Sequence, residues 1–203
     1  VTMVLGIDIG TTATKVAVVD LDGAVVAEGV RTNQLISPHA GWAEEDPNLW
    51  WRNICELCAS LPTEEVGAIG VSGMVPCVIP LDRARRHLRR SIQQSDARAH
   101  AEVRELASTL NDADLLPRTG SSLTHQSVAP TALWLARNEP QVWAQTAAIV
   151  GSYDYITSRL TDVVIVERNW ALESGLFDIR TEDWAPDICE AGGIDPALMP
   201  PVA

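Results

Sequence analysis

Two apolar runs separated by three small polar residues open the chain. Val4 to Ile9 is apolar apart from Asp8, Val16 to Val19 is rich in β-branched residues, and Gly10, Thr11 and Thr12 lie between them. Such runs around a glycine-containing gap predict two strands joined by a tight turn. Gly10 offers that turn a positive φ and lets a ligand approach the backbone. Asp20-Leu21-Asp22-Gly23 is a turn signal, and Ala24 to Val30 alternates as a third strand. The first thirty residues therefore predict a three-stranded antiparallel meander.

Helical spacing begins after Asp46-Pro47, an N-cap followed by a proline suited to the first helical position. Trp50, Trp51, Ile54, Leu57 and Cys58 recur three and four apart, and the helix ends near Pro62. Val66 to Val71 reads as a buried strand ending at Ser72-Gly73, and Cys77 to Leu81 as another before an arginine-rich turn. A short strand over 91–95 leads into a helix from Ser95 or Asp96 through Leu110. Leu115 to Val128 reads as mostly loop. Helices over 130–137 and from Pro140, a strand over 147–150, a helix over 153–160 and a strand over 163–166 follow. Trp170 to Phe177 reads as a short helix and turn, and small helical pieces follow Trp184. Strands first, then mixed strands and helices, predict an α/β chain of ribonuclease H-like layout: a mixed sheet flanked by helices. No repeat, linker or low-complexity segment divides residues 1–203.

Composition narrows the partners. The net charge of −12 argues against nucleic-acid or anionic-membrane surfaces, which call for basic patches. Arg83 to Arg90, with five arginines and one histidine, is the one dense basic run and reads as a solvated turn. Cys55 and Cys58 form a C-x-x-C without a second ligand pair, so zinc is not implied; with Cys77 and Cys189 they read as reduced core cysteines of a cytoplasmic protein. No charged-then-apolar leader is recognisable. The longest uncharged run, Val66 to Leu81, is too short to span a bilayer.

The opening hairpin carries the clearest chemistry. Backbone N–H groups, two threonine hydroxyls and the Lys15 ammonium make a phosphate cradle, and Asp8 enters the same space. A carboxylate beside phosphate is repelled unless a cation such as Mg²⁺ lies between them. The same residues also suit a plain Gly-Thr hairpin with Asp8 as a turn residue.

Gly6-Ile7-Asp8-Ile9-Gly10-Thr11-Thr12 resembles the first phosphate motif of the actin/hexokinase/Hsp70 superfamily. Four further stretches are similar to FGGY carbohydrate kinases, the xylulokinase-like members most of all. They are Pro38 to Pro47 with Trp50-Trp51, Ala68 to Gly73 with Met74-Val75-Pro76, Gln94-Ser95-Asp96-Ala97-Arg98, and Thr119-Gly120 through Pro130 to Trp134. The resemblance implies ATP- and Mg²⁺-dependent phosphorylation of a sugar or polyol of pentulose type, in a cleft between two ribonuclease H-like domains. It implies that this chain is most of the first, sugar-side domain, and that a second domain supplies most of the nucleotide pocket. The family's general-base aspartate lies in a "G-G-G-D" segment, which does not occur in these 203 residues. The chain by itself is therefore expected to have little kinase activity and no catalytic base, and an exposed cleft face that could pair it as a homodimer.

By the same resemblance Asp8 holds Mg²⁺, Gly10, Thr11, Thr12 and Lys15 line the phosphate path, and Met74, Val75, Pro76, Asp96, Arg98 and Gln126 face the sugar. Asp96 and Arg98 equally suit a helix cap and a local ion pair, and Lys15 the strand's solvent face. Two departures bear on selectivity. Gly73-Met74-Val75-Pro76 stands where xylulokinase-like proteins read "G-Q-M-H", and Gln94 replaces their usual tryptophan. Loss of hydrogen-bonding groups at a sugar site alters selectivity strongly, so xylulose is not implied as the substrate. His125 and Gln126 offer replacement polar groups. The six tryptophans other than Trp170 read as packing residues, and Trp170 stays open. A non-catalytic sugar- or nucleotide-binding or interaction module is the alternative reading.

Overall fold

β1 (Met3–Ile9) is the strand on which the sheet is built. In this computed structural model, which describes residues 2–110 and 112–203, β1 pairs antiparallel with β2 (Ala13–Asp20), and β2 with β3 (Val25–Thr32). The short β4 (Glu44–Glu45) and helix α1 (Pro47–Ser60) precede β5 (Val66–Gly73), which returns parallel to β1. The order β3-β2-β1-β5 is the expected mixed sheet opening with an antiparallel meander.

Strand alternation decides which face is covered. Leu5, Ile7 and Ile9 of β1 and Val16 and Val18 of β2 share one buried face. Trp50, Ile54 and Leu57 of α1 pack there, and Asp46 caps that helix through Asn48 N. Gly6, Asp8, Lys15, Ala17, Gly70 and Ser72 lie on the opposite, open face, which forms a trough. β5, at the edge of this sheet, is exposed on both faces, with Ile69 on the Leu5 side 48% accessible, and is not the buried strand expected. It pairs with a strand on one side only among the described residues.

The second region holds β6 (Ile79–Leu81), β7 (Ser91–Ile92), α2 (His100–Thr109), α3 (Asp112–Thr119), α4 (Val128–Asn138), α5 (Pro140–Trp143) and β8 (Ala148–Val150). β6 pairs with β8 and β4 with β7, while a Val78–Ile92 bridge joins the two small sheets. After β8 come α6 (Ser152–Thr161), α7 (Arg168–Glu173), β9 (Phe177–Asp178), β10 (Asp183–Trp184) and α8 (Pro186–Ala191).

Several elements differ from expectation. Residues 120–127 are loop as expected, but the span 115–128 begins inside α3, a helix the sequence did not suggest, which carries Pro117. Residues 163–166 form no strand; Val166 makes a single parallel bridge to Val202. Cys55 is exposed and Cys58 half-buried, because the core covers only the Trp50–Ile54–Leu57 stripe of α1. Trp170 is wholly buried and donates its indole N–H to the Cys77 carbonyl at 2.9 Å, which makes it a packing residue. Among the described residues no helix is long and apolar enough to cross a membrane.

Candidate functional site

The hairpin closes by a Gly10 N–H bond to the Ala13 carbonyl at 3.0 Å. Gly10 does not use a positive φ. Its lack of a side chain matters for space, since a Cβ would sit 3.1 Å from the Ala13 oxygen. Asn33, buried after β3, fixes the loop from behind. Its amide donates to the Gly10 carbonyl at 2.8 Å, and its backbone N–H to Thr12 O at 2.9 Å. Its Oδ1 accepts from Thr14 Oγ1 and Asn53 Nδ2. Thr11 and Thr12 are thereby held exposed on a braced loop. Asn33 was not singled out in the sequence, where a lone polar residue after a strand carries no periodic signal.

Asp8 faces Lys15 across β1 and β2 and Ser72 across β1 and β5. Lys15 Nζ lies 3.3 Å from Asp8 Oδ2. No three His, Cys, Asp or Glu side chains converge as a metal cluster among the described residues. A single half-exposed carboxylate beside a braced loop, paired with one ammonium, suits Mg²⁺ that arrives with phosphates, because Mg²⁺ keeps several waters and takes few protein ligands.

The carboxyl ends of the parallel strands β1 and β5 bring the second part of the site to this hairpin. Met74 N–H donates to Ile9 O at 2.9 Å, and Ser152 Oγ, at the start of α6, donates to Met74 O at 2.7 Å. Met74 and Pro76 are buried, and Val75 is half-buried. The Val78–Ile92 bridge and the Gln93 N–H bond to Ala43 O align Pro76, Gln94 and Trp42 at one end of the small sheets.

Asp96 and Arg98 lie behind that wall. Asp96 is 3% exposed and accepts from Ala43 N at 2.6 Å and from Arg98 N and Nε at 2.8 Å each. The Arg98 side chain is fully buried, bonds Glu44 Oε1 at 2.8 Å, and lies 3.8 Å over the Trp42 ring and 5.0 Å from that of Trp134. Arg89 also contacts Glu44 and is buried, so the basic run is not wholly solvated. This network fixes residues 42–44; Arg98 Nη1 alone in the Arg98 fork has no partner among the described residues. Gln126 stands on an exposed turn before α4, beside His125, whose ring is 6.0 Å from that of His100.

Two buried carboxyls flank this region. Burial pushes Glu45, bonded to the Trp50 indole N–H at 2.7 Å, up to about 7. Burial likewise pushes Asp154 up to about 7, although it accepts from Gly151 N and Glu167 N.

The family model described as "FGGY family of carbohydrate kinases, N-terminal domain" matches residues 3–203. A curated xylulose kinase of Bacillus subtilis is 30% identical over 205 residues, which cover 98% of this chain and 41% of that protein. A glycerol kinase of Nocardia farcinica is 28% identical over 210 residues, with 98% and 42% covered. The crystal structure of xylulose kinase from Rhodospirillum rubrum superposes with a TM-score of 0.95 at 42% identity, over 99% of this chain and 43% of that one. The chain thus spans less than half the length of these relatives.

Proposed function

Because the chain belongs to the FGGY family of carbohydrate kinases, as its N-terminal domain, we propose that it forms the sugar-side half of an enzyme that phosphorylates a pentulose-like sugar or polyol with ATP and Mg²⁺. The observation that carries this is the junction of Ile9 and Met74. It sets the Asp8–Lys15 hairpin beside the Met74–Pro76 wall at the carboxyl ends of two parallel strands, where α/β sheets place their ligands.

ATP supplies the transferable phosphoryl group, and bound Mg²⁺ neutralises charge on its oxygens. Asp8 would hold the ion. Thr11, Thr12 and the Gly10 backbone border the phosphates, and Lys15 offsets their charge. Met74, Val75, Pro76 and Gln126 face the sugar. Asp96 and Arg98 act by fixing Trp42 to Glu44. A sugar hydroxyl also needs a positioned proton acceptor. Asp8, paired with Lys15 and committed to metal, does not serve. The family's G-G-G-D segment, which residues 1–203 do not contain, supplies the acceptor, a second domain supplies most of the nucleotide pocket, and residues 1–203 alone turn over little. In the isolated chain the open sheet face is the surface through which two copies would pair.

Calorimetry of the chain against D-xylulose, glycerol and gluconate, with and without Mg-ATP, tests this reading. Saturable binding of one sugar, with weak nucleotide binding, is expected. Binding of neither class favours an interaction module.

A further inference from the structure

The arginine-rich turn plays no part in the phosphoryl-transfer site, yet it is organised. The β6–β7 hairpin starts beside Pro76 and Gln94 and closes at Asp82 to Arg86, with Asp82 roughly 20 Å along the strand from Pro76 at about 3.3 Å per residue. There it meets the C-terminal half of α6, and the two enclose a hollow of about 500 Å³. That lies within the roughly 300–1,000 Å³ range of small-molecule sites.

Three guanidinium groups, Arg85, Arg86 and Arg159, line the hollow with His87, Asn48 and the Asp162 carboxylate, while Asp82 pairs with Arg86 from outside the lining and Asp46 lies 4.0 Å from His87. Each guanidinium is held by a neighbour. Arg86 Nε bonds Asp82 Oδ2 at 2.9 Å. Arg159 Nη1 donates to the Tyr155 hydroxyl at 3.0 Å and its guanidinium lies 4.5 Å from the Trp51 ring, so it is braced by a neutral donor–acceptor and an aromatic face. Arg85 bonds Asp162 Oδ1 at 2.8 Å, but that carboxylate is 83% exposed and can turn to water at little cost.

The chain has fifteen Lys and Arg residues, and five fall between 83 and 90. Two of those five, Arg85 and Arg86, line the hollow, and Arg159 of α6 adds a third cation. Arg forks fixed at several angles match the oxygens of a phosphate group better than they match a flat carboxylate surface. We propose that this hollow binds a small phosphate ester, at a site separate from the Gly10–Lys15 hairpin. The proposal stands on its own geometry, whether or not the chain belongs to a working sugar kinase. α6 joins the two regions: Ser152 at its start holds the Met74 carbonyl, and Arg159 near its end faces the hollow.

Calorimetric titration of the chain with pyrophosphate and with glucose 6-phosphate at physiological salt tests the assignment. Saturable binding of at least one probe in the low-millimolar range or tighter is expected, weakened about tenfold or more by Arg159→Gln and by Arg86→Gln, since charge-assisted bonds to phosphate are lost. Heat lost on Lys15→Gln, which removes the hairpin's cation, belongs to the Gly10–Lys15 site, and the hollow's share is the part that the two arginine variants remove. Arg86 is 79% exposed, so its variant should fold and melt as the parent does. Absence of saturable heat from the folded parent with both probes overturns the proposal. So does binding that Lys15→Gln abolishes and the two arginine variants leave intact.

Discussion

Asp8 and Lys15 stand directly opposite each other in the β1–β2 ladder, 3.3 Å apart, with side chains 45% and 59% exposed. Exposed ion pairs of this kind contribute about 0–1 kcal/mol, so stability does not explain why the two charges sit at the mouth of the hairpin. Asp8→Asn should change unfolding free energy by less than about 1 kcal/mol. In an enzyme carrying this domain it should lower kcat/KM on the order of a hundredfold or more, as loss of a preorganised charge does. Urea denaturation and steady-state kinetics on the same variant separate the two effects.

Asn33 is expected to behave in the opposite way. Its amide serves Gly10 O, Thr14 and Asn53 at once in a buried position. Asn33→Ala should destabilise the fold by about 2–3 kcal/mol, because several buried groups lose their partners together. Hydrogen exchange should show faster opening of residues 10–14 than of α1.

Arg98 is enclosed with Asp96 and Glu44. Arg98→Met should cost about 3–5 kcal/mol, the penalty for leaving buried carboxylates unpaired. Arg98→Lys should not restore full stability, because an ammonium cannot reproduce the fork that reaches both acids. Chemical denaturation of both variants, with Glu44→Gln as the partner in a double-mutant cycle, checks this.

Stability should also depend on pH. Burial raises Glu45 and Asp154 from the ordinary carboxylate range to about 7 in the folded state. The folded chain then binds more protons than the unfolded chain between about pH 4.5 and 7. The stabilisation from keeping these two groups protonated is complete at the acid end and is lost as pH rises through about 7. The melting temperature should fall across that window, and Glu45→Gln, which keeps an acceptor for the Trp50 indole, should flatten the fall. A set of melting curves from pH 5 to 8.5 measures it.

The meander, α1 and the main helices of the second region were legible because each repeats its apolar positions with one period and carries turn or cap residues at its ends. α3 was hidden by Pro117, which reads as a breaker although the helix tolerates it. β5 looked buried because V-G-A-I-G-V is apolar throughout, and sequence cannot say which face a neighbour covers. In the site, the hairpin was visible as a local motif. The enclosure of Asp96 and Arg98 was not, because it depends on Trp42, Glu44 and Trp134, which are 36 to 56 residues away from Arg98. The Asn33 brace was missed for the same reason: its partners lie in two separate segments, residues 10–14 and Asn53 of α1.

Sugar-dependent release of ADP is the most direct measurement of the sugar-kinase reading. It should be followed for residues 1–203 and for a protein in which they are joined to a second kinase domain, with pentuloses, polyols and aldonates and with Mg-ATP. The two-domain protein should release ADP with at least one of them, in a Mg²⁺-dependent reaction that Asp8→Asn suppresses, and residues 1–203 alone should release almost none. Comparable turnover by residues 1–203 alone would contradict the assignment, as would a folded two-domain protein that phosphorylates none of the panel.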